Sequence, residues 1–335
     1  MMFLDCIKSL FSYPPRAYIG SYKSTKRHLL TSSRIRTIYT RSCAMQQHLE
    51  SKEYTKFHKF LKSVLRNIPN NYPRSYHLKE FGWNDFNKIG SIHSHCHVGN
   101  IQLASYQHWP SLDEGNDLSF FGRSLTLNFL PAYHDTDFVS RPVRYDSYIT
   151  FLGRTAIYVG TDLRDAESEA LYLSSLMQCI AVDVNKRTPV RIGSEIIKKY
   201  VDDKTTMKTP PQRHQFLPLQ PGNGDVFRWT TTVQWSDVDY NRHVNQTPYL
   251  RFMYDAGSSA AVAGFLRSFH HELIHYKLKT YTVEYMQEIR LGKEVEVVCW
   301  EMDDNPGTIH FEVQVGDHTV TRSHLIFDVQ PSAKL

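Results

Sequence analysis

The sequence predicts an α+β architecture of two tandem domains, each a curved antiparallel sheet wrapped around a central helix. Three observations carry this. A chain of 335 residues exceeds what one hydrophobic core usually serves, so two domains plus a non-core extension are expected. Two stretches read as the same series of alternating strands: SLTLNFLPAYHDTDFVSRPVRYDSYITFLGRTAIYVGTDLRD closed by SSLMQCIAVDV, and YTVEYMQEIRLGKEVEVVCWEMDDNPGTIHFEVQVGDHTVTRSHLIFDV. The helical stretch PYLRFMYDAGSSAAVAGFL carries small residues from Ala256 to Ala261, with Arg251 and Asp255 as its charges, which suits a helix approached closely by strands.

Residues 1–45 hold eight Lys/Arg against the single acid Asp5, and because the whole chain carries +5, residues 46–335 carry −2. The folded body is therefore not basic, and a nucleic-acid partner is not expected. Rich in Arg, Ser, Thr and Tyr, this leading segment has the composition of a mitochondrial or plastid import peptide, so a mitochondrial location is expected. Asp5 and Lys8 break the apolar stretch that a secretory signal needs. Nowhere does an apolar run reach the roughly 18 residues of a membrane span. Residues 46–88 read as a helical lead-in, with Tyr54, Phe57, Phe60, Leu61 and Leu65 at helical spacing. The first domain is expected over 89–193, a Pro- and Gly-rich linker over 194–225, and the second domain over 226–332.

Superposing TLNFLP on TVEYMQ sets Leu127 on Val283, 156 positions on, and CHVGN facing RHVNQ sets His97 on His243, 146 positions on. Insertions in the connections account for the difference. Asn245 or Thr247 is positioned to cap the second helix, with Pro248 in its first turn. Five scattered cysteines without a CxxC pair give neither a disulfide framework nor a zinc ribbon, and a reducing compartment is expected.

The segment WSDVDYNRHVNQTPYL at 235–250 holds the densest chemistry. In an extended segment Asp239, Asn241 and His243 project to one side and Val244 toward the core. A carboxylate, an amide and an imidazole then gather just before a helix start, whose free N–H groups stabilise a developing oxyanion, as acyl transfer requires. The alternative is a polar turn whose Asp and Asn serve only hydrogen bonding.

This segment resembles the WSDxDxNxHVNN motif of acyl-acyl carrier protein thioesterases, within the hot-dog thioesterase superfamily. Asp237, Asp239, Asn241, His243, Val244 and Asn245 stand at the motif positions, and Gln246 replaces its second Asn. The likeness continues at VEYMQE, similar to the family's LEYRRE, and brings Glu288 onto the family's catalytic glutamate. It implies two tandem hot-dog domains, with Asp239, Asn241, His243 and Glu288 taking part in catalysis and Asn245 in substrate binding. Which carboxylate serves as base stays open. Ile289 stands where the family often has a cysteine, and the 49 positions from Asp239 to Glu288 exceed the family's expected spacing because of RSFHHELIHYKLK.

In the first domain SIHSHCHVGN offers no aspartate, and as a strand it would align His93, His95 and His97 on one face. No carboxylate or paired cysteine completes a metal site there, so no metal and no cofactor are expected. This domain is expected to lend the acyl pocket without catalysing. FLGRTAIYVGTDLRD resembles a strand of acyl-CoA thioesterases, which makes Arg154 a candidate for a phosphate of coenzyme A or of a phosphopantetheine arm. No GxSxG, GxGxxG or P-loop occurs. A thioesterase acting on acyl-CoA or acyl carrier protein is the leading reading, as a monomer or homodimer. A hot-dog hydratase or dehydratase and a non-catalytic acyl binder are the alternatives.

Overall fold

The computed structural model describes residues 74–106, 118–183, 186, 188–194, 197, 209–212, 214–219, 226–239 and 243–329. The basic segment 1–45 and the helix expected within 52–67 lie outside the described residues.

Alternating burial builds the strands. In the first half these are β1 (Arg74–Leu78), β2 (Leu118–Phe129), β3 (Val143–Leu152), β4 (Ala156–Asp165) and β5 (Leu171–Asp183). The helix α1 (Ser94–Tyr106) follows β1, and the one-turn helix α2 (Pro131–His134) follows β2. The second half repeats the order with β6 (Phe227–Thr232), α3 (Gln246–Val262), β7 (Lys277–Tyr285), β8 (Glu294–Glu301), β9 (Thr308–Val315) and β10 (His318–Asp328). The ten strands among the described residues form one antiparallel sheet ordered β1-β3-β4-β5-β2-β7-β10-β9-β8-β6. Each half thus places its first strand at an outer edge and its second strand at the seam.

The seam is the β2–β7 ladder, from Ser124 opposite Glu284 to Asn128 opposite Thr280. Leu125, Leu127, Tyr281 and Val283 face the helices from it and are fully buried. The first domain begins earlier than residue 89, because β1 pairs with β3 from Ser75 opposite Asp146 to Leu78 opposite Val143. That strand is a short edge following Pro73, too brief for its alternation of buried Tyr76 and Leu78 to stand out from turn residues. Part of the linker lies on the other side of the seam, where His214 Nε2 stands 3.0 Å from Thr126 Oγ1 and Leu219 N donates to Glu312 Oε1 at 3.3 Å.

The two long helices pack against each other in opposite directions. Ser94 Oγ, at the start of α1, is 3.2 Å from Tyr254 OH in the middle of α3. A Cβ on Gly99 would stand 3.4 Å from Thr247 Oγ1, at the start of α3. Small residues let α3 sit inside the sheet: a Cβ on Gly257 would come 2.6 Å from Leu273 Cδ1 and 3.2 Å from Phe311 Cζ. Gly257→Val is therefore expected to lower stability by about 1–3 kcal/mol through overpacking, read as a lower urea midpoint; an unchanged midpoint would show that the helix is not enclosed as described.

Candidate active site

The loop between β6 and α3 is built around Asp237, which ends a short 3-10 turn, Trp235–Asp237, and is 2 % exposed. Its Oδ2 accepts from Gln234 N at 2.8 Å, its Oδ1 pairs with Arg251 Nη2, and its carbonyl accepts from Asn245 N at 2.9 Å. These bonds bring the two described ends of the loop together. Asp239 N donates to His243 O at 2.9 Å, with Val238 bridged to Val244. Val244 N then donates to Ile289 O at 2.8 Å, and His243 is bridged to Arg290. This ties the loop to the segment that follows β7, and His243 Nε2 consequently lies 3.0 Å from Glu288 Oε2. The imidazole is buried, whereas the Glu288 side chain is 42 % exposed and open to water. The insertion that lengthened the spacing from Asp239 folds away as a 3-10 turn, Leu273–His275, with Leu273 N donating to Ser258 Oγ at 3.0 Å.

Tyr249 belongs to the same electrostatic neighbourhood. Burial pushes its phenol well above the ordinary tyrosine range, and the negative charges of Glu288 and Asp239 push it in the same direction, against a hydrogen bond with Thr321. The carboxylates of the loop and of the β7 exit thus act on one buried hydroxyl. Asn241 lies outside the described residues. The Asn245 side chain caps α3, its Oδ1 accepting from Gln246 N at 2.6 Å. Arg154 is exposed at the β3–β4 turn, with β5 and β2 standing between β4 and β7 in the sheet.

The correspondence between the domains differs from the one that the letters HV suggest. The first domain has its own 3-10 turn, Trp83–Asp85, in which Asp85 Oδ2 accepts from Gly82 N at 2.7 Å and Asp85 O accepts from His93 N at 2.8 Å. Phe86 is bridged to Ile92 as Val238 is to Val244. Asp85, Phe86, Ile92 and His93 each precede their counterparts Asp237, Val238, Val244 and Asn245 by 152 positions. Asp239, Asn241 and His243 therefore correspond to Asn87, Ile89 and Ser91, and not to the SIHSHCHVGN histidines.

Those histidines are also not on a strand, since α1 begins at Ser94: the His93 and His95 rings stand together, centroids 4.9 Å apart, and His97 turns into the core. His97 is enclosed, with Nδ1 2.8 Å from Tyr145 OH and Nε2 2.8 Å from Tyr133 OH, and burial lowers its pKa to about 3. A neutral imidazole between two phenols is a core hydrogen-bond relay. Among the described residues no group of three or more His, Cys, Asp and Glu side chains is arranged to hold a metal ion.

The first domain does reach the loop through Gly122 in β2, where an added Cβ would stand 1.7 Å from Gln246 Nε2. Arg123 beside it pairs with Glu284 at 2.8 Å and donates to Tyr285 O at 2.8 Å, fixing the end of β7 that leads to Glu288. The site therefore sits on the seam between the domains.

A ten-stranded sheet enclosing two antiparallel helices, with a polar loop leading into one of them, is a tandem hot-dog fold. Residues 224–328 match the family model of the acyl-ACP thioesterase C-terminal domain. An acyl-ACP thioesterase from Bacteroides thetaiotaomicron superposes with a TM-score of 0.58 at 18% identity, over 76% of this chain and 97% of that one. The 12:0-ACP thioesterase from Umbellularia californica superposes with a TM-score of 0.59 at 12% identity, over 76% and 97%. No curated protein matches the chain.

Gly122 tests the contribution of the seam. Because the displaced atom is the free end of a glutamine, Gly122→Ala is expected to leave the melting temperature nearly unchanged while moving Gln246 and lowering kcat/KM for an acyl thioester about tenfold or more. Unchanged kinetics would separate the first domain from the site.

Proposed function

We propose that the chain hydrolyses fatty acyl thioesters by an activated water, with an acyl carrier protein as the preferred carrier and Glu288 and Asp239 as the carboxylates that the reaction requires. The observation that carries this reading is the 3.0 Å contact between His243 and Glu288 at the mouth of the loop that leads into α3. Glu288 is exposed enough to meet water, and the buried imidazole fixes one of its oxygens.

In the proposed step a water bound at Glu288 gives its proton to the carboxylate as its oxygen adds to the acyl carbon. The resulting oxyanion is met by the Thr247 N–H in the first turn of α3, since Gln246 N is held by Asn245 and Pro248 has no N–H. Collapse breaks the C–S bond, and the proton held by Glu288 and His243 passes to the departing thiolate, giving a free fatty acid and a thiol. Asp239, tied to His243 by their backbone bond, is the second carboxylate of the loop, and Asn241 orients the substrate. The match of residues 224–328 to the acyl-ACP thioesterase C-terminal domain supports the choice of carrier. A mitochondrial location is proposed on the composition of residues 1–45 alone.

Thiol release from the purified full chain, given acyl-CoA and acyl-carrier-protein substrates of matched chain length, tests the reading. Expected are faster release from the carrier protein and losses of about 100-fold or more in kcat for Asp239→Asn and Glu288→Gln, with unfolding midpoints close to the parent. Hydration of an enoyl thioester without thiol release would replace the hydrolase by a hydratase, and binding without either product would leave an acyl binder.

A further inference from the structure

Duplication gives the molecule a second loop of the same build, and beside it lies a cavity of about 500 Å³. That volume falls within the usual range of small-molecule sites. The cavity opens where the first domain's loop enters α1 and where α3 and the start of β7 pass it, so it occupies the place in the first half that the catalytic loop occupies in the second. Its inner wall is apolar, with Ile92, Phe138 and Leu278 each about 95% buried or more. Its polar end carries Arg251 together with His93 and His95, and burial holds both imidazoles below their ordinary pKa, His95 at about 4. At neutral pH these rings are hydrogen-bonding groups beside a fixed guanidinium charge. Lys277, paired with Asp135 at 3.0 Å, is the second cation of the lining, and Asp255, within electrostatic reach of Arg251 and His93, is the one acid among the described lining residues.

An apolar wall together with a guanidinium and neutral imidazoles suits an acyl chain with an anionic oxygen head. The loop itself cannot process such a chain as its counterpart is proposed to, because Asn87 and Ser91 stand where Asp239 and His243 stand. Arg251 gives occupancy a route to the catalytic loop. It lines the cavity, and its Nη2 pairs with Asp237, the same carboxylate that holds Gln234 N and belongs to the residue whose carbonyl holds Asn245 N.

We propose that this cavity is a second ligand site, which takes a fatty carboxylate without turning it over and acts on the catalytic loop through the Arg251–Asp237 pair. The choice of ligand class rests on the hydrolase reading; the cavity and the ion pair do not. A carboxylate head bound beside Arg251 competes with Asp237 for its charge, and any loosening of Asp237 by the ligand must be matched by weaker ligand binding when the loop is held tight. Product bound at the catalytic loop alone would compete with substrate and raise KM. Product bound at the second site would lower kcat even at saturating substrate.

The test combines equilibrium dialysis of submicellar dodecanoate with inhibition kinetics on the full chain. The parent is expected to bind two dodecanoates, and dodecanoate is expected to lower kcat severalfold. Ser91→Trp, which fills the cavity from its exposed lip, is expected to bind one, to keep the uninhibited kcat, and to show only a rise in KM. Thr136→Trp, at a lining residue just beyond α2, fills the same cavity and should behave likewise. A single dodecanoate per parent chain, two per chain in both filled variants, or purely competitive inhibition of the parent would each overturn the proposal. Two-to-one binding in a chain that releases no thiol from any acyl thioester would keep the site and reject the hydrolase.

Discussion

The ladder between β2 and β7 is the constraint on which the rest of the molecule depends. By joining the second strand of each half, it makes one sheet from two and forces α1 and α3 to lie side by side in opposite directions. The start of each helix is thereby carried to the seam, where the opposite domain supplies a wall. Gly122 reaches Gln246 on one side of the pair, and Lys277 and Leu278 reach the first domain's loop on the other. Neither loop is completed by its own domain, which is a physical reason for the two halves to share one chain and one core.

Within that frame, the backbone bonds that shape a loop can be told apart from the groups proposed to do chemistry on it. Asp85 and Asp237 make matching bonds to the backbone on either side of a 3-10 turn, and both loops close with the same bridge. These bonds satisfy buried N–H and C=O groups, and losing them would cost stability in either domain. The side chains between them differ, and Asn87 adds bonds of its own, its Oδ1 accepting from Ile89 N at 3.0 Å and from Ser91 N at 3.1 Å. Asp239 and His243 in one loop and Asn87 and Ser91 in the other are compatible with the same backbone path. The two loops beside the seam can therefore differ in chemistry while the backbone path stays the same.

Much of this was legible in the sequence, and for identifiable reasons. The long strands showed because burial on one face imposes a period of two, and α3 showed because a helix inside a sheet needs residues such as Ala256, Gly257 and Ala260. The loop at 235–250 showed because its polar residues are local in sequence. The structure adds what depends on contact through space: Gly122 in FFGRSL has no local mark of its meeting with Gln246, and Tyr249 reads as one more aromatic until it is placed beside two carboxylates. The pairing of His97 with His243 followed shared letters, whereas the backbone bonds follow the Trp-x-Asp turn, and His97 is a core imidazole between two phenols. β1 was missed because five edge residues after a proline give too little alternation to read.

The central claim is that the His243 imidazole and the Glu288 carboxylate act as one unit on one water. A double-mutant cycle measures this directly, using kcat/KM for His243→Ala, Glu288→Gln and the double variant on the best acyl thioester. The account predicts that the double variant is no slower than the more damaged single variant, within about threefold, because removing either partner disables the pair. Losses that multiply would mean two independent contributions, and would contradict it.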